Sequence, residues 1–146
     1  MSPQARRRSP FAEHRPDGAM DDADEIAAFY DRCSDLMREL LDALAADPGR
    51  PRPFGEIEDR MGWPRRRIAS VLGGVARLRT MEFGGRRPYR FLDAREAPSR
   101  RWEMWMDADQ AAAARAAADE RDQAESAARR ASRNRRSVTT ALSARR

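Results

Sequence analysis

The chain predicts a mainly α-helical protein with a small β-hairpin, an α+β fold, flanked by disordered basic tails. Three observations predict it. Residues 53–78, PFGEIEDRMGWPRRRIASVLGGVARL, read as two short helices joined by a tight turn. Residues 88–93 and 101–106 alternate between apolar and polar side chains, the period of a strand. The rest of the apolar content concentrates in one earlier stripe at helical spacing, from Ile26 to Leu44.

Taken in order, residues 1–20 are rich in Pro, Arg and Ser and predict a disordered tail. Asp21, Asp22, Asp24 and Glu25 then favour a helix start, because carboxylates complement the N-terminal dipole. Ile26, Phe29, Tyr30, Cys33, Leu36, Met37, Leu40, Leu41 and Leu44 form one continuous stripe, so a single first helix is expected. It ends before Asp47-Pro48-Gly49, and residues 47–53 serve as a connection.

The second helix is expected over 55–61 and the third over 65–79. Gly62, Trp63 and Pro64 break the periodicity between them; helices rarely continue into a residue before proline, and proline suits the first turn of the next one. Ile57, Met61, Ile68, Val71, Leu72, Val75 and Leu78 mark the buried face. The opposite face of the third helix carries Arg66, Arg67, Ser70, Gly73, Gly74 and Arg77. Two adjacent helical glycines cost about 1 kcal/mol each relative to alanine. Tight packing against the first helix explains them, with close approach of a phosphate or another backbone as the alternative.

A very short strand over 81–83 could turn through Gly84–Arg87 into 88–92, or 88–93 could pair with 101–106; both together give a three-stranded sheet. Asp107 and Asp109 cap a fourth, alanine-rich helix over 107–130, and residues 131–146 predict a disordered Arg-rich tail. The domain is thus expected over 21–106.

Charge is segregated along the chain. The formal net charge is +5, the mean hydropathy is −0.88, and every one of the 29 basic residues is arginine. Residues 1–20 carry +2, 21–47 carry −7, 48–101 carry +8, 102–128 carry −5 and 129–146 carry +7. Each arginine is a planar fork able to grip phosphate or guanine in bidentate fashion. The basic blocks suggest a polyanionic partner. No apolar run approaches the roughly 20 residues of a membrane span, and no apolar stretch follows the N-terminal arginines to make a secretory signal. A cytoplasmic, nucleoid-associated protein is expected, without a membrane partner.

Chemistry-bearing clusters are few. Cys33 is the one cysteine and His14 the one histidine, so no metal site and no disulfide are expected. Cys33 lies on the apolar stripe and reads as core. No carboxylate pair, Gly-rich phosphate loop or nucleophile–base set suggests catalysis or a cofactor. Trp63, Trp102 and Trp105 read chiefly as packing residues, with Trp105 the best candidate for a partner surface.

The segments EIEDRMG, WPRRRIASVLGGVARL and GGRRPYRF carry a resemblance to the winged helix-turn-helix superfamily, over about residues 26–106. The order of helix, helix, turn, arginine-led helix and hairpin is the same. The resemblance implies DNA binding through the third helix and the wing, often as a homodimer. Position in the motif makes Arg65, Arg66, Arg67 and Ser70 the recognition residues. Arg77 extends that face, and Arg86, Arg87, Arg90, Arg95, Arg100 and Arg101 supply the wing. The pattern departs from the superfamily at Pro64, where Ser or Thr is usual, and at Gly73-Gly74, where polar residues are usual. Both favour a reader of shape and phosphate over one of bases. Arginines at a helix N-terminus oppose its dipole, and a bound phosphate supplies a reason for them.

The expected function is therefore a transcriptional regulator that binds double-stranded DNA and is not an enzyme. The alternatives are a protein-interaction module using Trp102, Trp105 and the acidic first helix, or an RNA-associated adaptor that stacks tryptophans on bases.

Overall fold

The computed structural model describes residues 18–144, with side chains through residue 138. The expectations for residues 1–17, including Arg6–Arg8 and His14, lie outside the described residues.

The apolar stripe of the first helix is split into two helices, α1 (Ala23–Arg32) and α2 (Asp35–Ala45). The break falls at Cys33, whose backbone is extended (φ −71°, ψ 152°). Ser34 causes it by capping α2: its Oγ accepts the Met37 N–H at 3.3 Å. Arg38 then closes the end of α1. It is buried, and it donates Nε to the Tyr30 carbonyl at 3.1 Å and Nη2 to the Asp31 carbonyl at 2.9 Å. Two local caps outcompete one more turn of helix, while the stripe still packs as a unit. Asp22 caps α1 as its acidic start predicts, accepting the Asp24 N–H at 2.8 Å.

The expected connection after α2 contains a strand, β1 (Arg52–Pro53), followed directly by α3 (Phe54–Met61). Gly62 ends α3 in the left-handed conformation (φ 65°), where its N–H reaches the Glu58 carbonyl at 2.9 Å. Pro64 opens α4 (Arg65–Glu82).

The expected strand at 81–83 is instead the last turn of α4. Gly84 (φ 60°) and Gly85 (φ 81°) terminate it, and the Gly85 N–H bonds the Arg79 carbonyl at 2.8 Å. The Gly84–Arg87 turn is therefore a helix cap. The hairpin is the other candidate pair, β2 (Arg90–Leu92) with β3 (Glu103–Trp105). β1 pairs with the far edge of β3, giving an antiparallel sheet in the order β1-β3-β2. The fold is thus mainly helical with a small three-stranded sheet.

α5 begins at Ala108 with a reciprocal cap. Asp107 Oδ1 accepts the Gln110 N–H at 2.8 Å, and Gln110 Oε1 accepts the Asp107 N–H at 3.0 Å. Gln110 is fully buried and also donates to the Met20 carbonyl at 2.8 Å. Residues 18–20 therefore belong to the folded body rather than to a tail: the Met20 N–H bonds the Arg87 carbonyl, and Met20 is in the core. α5 extends to Ala144, through the segment expected to be disordered after residue 130. Alanine and arginine both favour helix, which is the local reason. Its first half packs Ala111, Ala113, Ala114 and Ala117 against α1 and α2.

The core gathers Ile26, Phe29, Leu40 and Leu41 from α1 and α2, Ile68 and Val75 from α4, and Met104 and Met106 from β3 and its end. This packing fixes the rotation of α4 and so decides which of its side chains meet solvent.

Candidate nucleic-acid interface

Burial of Ile68, Val71 and Val75 turns the opposite face of α4 outward. Arg66, Arg67, Ser70, Gly73 and Arg77 are all exposed there. Trp63 anchors the turn before α4, being only 8% exposed. Arg66, Arg67 and Ser70 line a shallow cleft with Leu36, Pro64 and Val71. The two helical glycines have different surroundings. A Cβ on Gly74 would sit 3.4 Å from the flexible Met37 Sδ, whereas one on Gly73 would meet nothing within 4 Å. Packing thus accounts for Gly74 but not for Gly73.

Arg65 points to the other side of α4, towards the hairpin. Its guanidinium lies 5.5 Å from the Phe54 ring centroid and 3.4 Å from Glu58 Oε1. A second cleft joins it to Phe54, Ala94, Arg100, Arg101 and Trp102. Here the first arginine of α4 and two arginines of the β2–β3 loop share one surface. Phe54 and Trp102 form its aromatic floor, with ring centroids 4.6 Å apart and planes at 71°; Phe91 backs Trp102 at 5.8 Å. Arg101 reaches across to α3, where a Cβ on Gly55 would lie 3.5 Å from its Nη1.

The loop itself is shaped by Asp93, whose Oδ1 accepts the N–H groups of Arg95 at 2.8 Å and Glu96 at 3.1 Å. Arg95 is exposed on this turn. Arg100 holds a left-handed backbone (φ 61°), a conformation that costs a side-chain-bearing residue about 1–2 kcal/mol.

Three expected wing residues lie elsewhere. Arg86 pairs with Glu25 through Nε at 2.7 Å, each side chain only 18% exposed. Arg87 packs its guanidinium over the Phe91 ring, 5.0 Å from the centroid. Arg90 bonds Asp107 Oδ2 at 3.2 Å. All three are half-buried and tie the hairpin region to the body. Trp105, the expected partner-surface residue, is half-buried on β3 opposite Arg90.

Sequence reasoning overlooked the floor residue Phe54 and the roles of Arg52 and Arg79. The Pro53-Phe54-Gly55 run was a usable signal for Phe54, placing an aromatic ring at a helix start beside a residue with no side chain. Arg79 donates Nη1 to the Gly85 carbonyl at 2.6 Å, which locks the end of α4. Arg52 is almost fully buried and bonds Asp47 Oδ2 at 2.8 Å; Arg50 bonds the same oxygen at 3.2 Å. These hydrogen bonds, that of Arg52 foremost, hold the Asp47 carboxyl below its ordinary pKa.

The groups whose pKa is raised lie in the body and not in the clefts. Burial pushes the Cys33 thiol up to about 12. Burial and then a 2.9 Å hydrogen bond to Asp42 raise Tyr30. Burial raises Asp42 and Tyr89. Among the described residues no group of three or more His, Cys, Asp and Glu could hold a metal ion, and no helix is long and apolar enough to cross a membrane. Comparison with protein-family models, with curated proteins and with solved structures returns no match.

Proposed function

We propose that the chain binds double-stranded DNA as a transcriptional regulator, laying α4 in the major groove and its arginine-bearing β2–β3 loop on the flanking backbone. The observation that carries this reading is the cleft where Arg65 meets Arg100 and Arg101. Arginines from two separate elements line one cleft there, and Arg66 and Arg67 are exposed on another face of α4. The order of helices, turn, arginine-led helix and hairpin supports the winged helix-turn-helix resemblance.

The outer face of α4 runs from Arg66 to Arg77, about 16 Å at the helical rise, with Ser70 and Gly73 between them. Small side chains there let a sugar–phosphate backbone come close, while Ser70 alone supplies a neutral hydrogen-bonding group. Phosphate contact therefore dominates, and base choice rests on few groups.

Duplex titration over a salt series tests the proposal. Arg66→Ala with Arg67→Ala weakens binding and flattens the salt dependence; unchanged binding by that double variant overturns it. The protein-interaction reading draws on Met81, 77% exposed, and Leu36, 39% exposed, beside the α2–α4 surface. One stoichiometric protein partner, with no duplex binding at moderate salt, favours that reading. The RNA reading needs free aromatic faces, and Trp63 and Trp102 are engaged in packing.

A further inference from the structure

We propose that α5 carries a self-complementary charged stripe through which two copies of the chain pair antiparallel. Beyond Ala118 the helix is largely exposed, although Asp122 still lies close enough to Tyr30 and Asp42 of the body to interact with them electrostatically. Between residues 119 and 138 every side chain is exposed except the half-buried Arg121, Ser126 and Ser132. A helix with no apolar stripe gains nothing from core burial and rests on its charged side chains, within the helix or across to a neighbour. Asp119, Asp122, Ser126, Arg129, Arg133 and Arg136 follow one another at alternating spacings of three and four residues, which aligns them along one face. That face is acidic at its N-terminal end and basic at its C-terminal end, and no acid occurs from residue 126 to residue 146.

The pattern maps onto itself by a two-fold rotation centred between Ala127 and Ala128. Asp119 then faces Arg136 of the second copy, Asp122 faces Arg133, and Ser126 faces Arg129. Glu125 flanks the seam beside Arg129 of the second copy. Every position of the stripe meets another position of the stripe with opposite or neutral charge. The stripe spans about 26 Å from Asp119 to Arg136.

Along the sequence the basic half carries no acid of its own from residue 126 onward. Arg129 and Arg133 stand four residues apart, a like-charge spacing that weakens an isolated helix. Arg136 donates to Ser132 Oγ at 3.4 Å, and Glu125 lies 3.5 Å from Arg121 on the acidic side. Antiparallel pairing places each basic half along an acidic half and opposes the two helix dipoles favourably. The body extends the match: α1 and α2, which hold α5, lie in the segment 21–47 that carries −7. A closed, isologous dimer follows from this geometry.

Because exposed ion pairs hold such a dimer, salt must dissolve it. Light scattering of the full chain without DNA, at high micromolar concentration, reads the mass. At about 0.05 M salt the expected mass is twice the 16.6 kDa of one chain, falling to one chain at about 1 M. Asp119→Arg with Asp122→Arg gives a monomer at low salt, and so does Arg133→Asp with Arg136→Asp. Mixing these two variants restores a dimer, since each supplies the charge the other has lost. Unchanged circular dichroism shows that both variants remain folded. A monomeric wild-type chain at low salt, a dimer that ignores either charge reversal, or a mixture that stays monomeric overturns the proposal. DNA takes no part in these measurements, so their outcome is independent of the proposed function.

Discussion

Salt dependence separates the arginines proposed to meet DNA from those that hold the fold. Seven of the ten candidate arginines are exposed: Arg65, Arg66, Arg67, Arg77, Arg95, Arg100 and Arg101. If each neutralises one phosphate, log affinity falls with log salt at a slope of about −6, taking 0.9 per contact. A fourfold rise in salt, from about 50 to about 200 mM, then costs roughly 10⁴ in affinity. Arg66→Ala with Arg67→Ala removes two contacts, bringing the slope to about −4.5 and the same loss to several hundred-fold. Arg86→Ala is the control. Its guanidinium is engaged with Glu25, each side chain 18% exposed, so its removal leaves a shielded carboxylate without that partner. That destabilises the fold by about 1–3 kcal/mol and leaves the slope unchanged. Fluorescence anisotropy of a labelled duplex measures all three slopes, and thermal melting measures the stability. A double variant with the wild-type slope refutes the reasoning, as does an Arg86 variant that flattens the slope equally.

Other outcomes follow from the same geometry. Gly73→Ala stabilises the protein by about 1 kcal/mol, because the site is open and alanine favours helix; the same change weakens duplex binding if a backbone approaches there. Thermal melting and anisotropy on the same sample read both effects. Cys33, buried with its thiol pushed up to about 12, reacts with a thiol reagent at pH 8 only at the rate of unfolding, and at once in denaturant. Asp47 has a folded pKa below its unfolded value, so its stabilising contribution is present above about pH 4 and is lost as pH falls through the folded pKa. An Asp47→Asn variant lacks this part of the acid dependence, which denaturant unfolding across pH 2–6 measures.

Much of the site was legible from local pattern alone. The spacing of Ile68, Val71 and Val75 dictates that Arg66, Ser70 and Arg77 face away from the core, and the structure turns them so. The same spacing did not show that the first stripe is two helices. The Ser34 cap and the buried Arg38 compete with continued helix, and a hydrophobic period does not register a capping hydrogen bond. Met81 and Phe83 looked like a strand because alternation over three residues is also met by the end of a helix.

The sequence by itself determined α3, the start and outward face of α4 and the order of charges along α5, because these depend on neighbours within a few residues. Tertiary structure alone decided that β1 pairs with β3, and that Arg100 and Arg101 come to Arg65 while Arg86, Arg87 and Arg90 turn inward. Those outcomes depend on contacts between residues far apart in the chain, such as Arg86 with Glu25 or Phe54 with Trp102. An arginine's role is set by the carboxylate or ring that folding brings to it, and its own letter in the sequence does not carry that information.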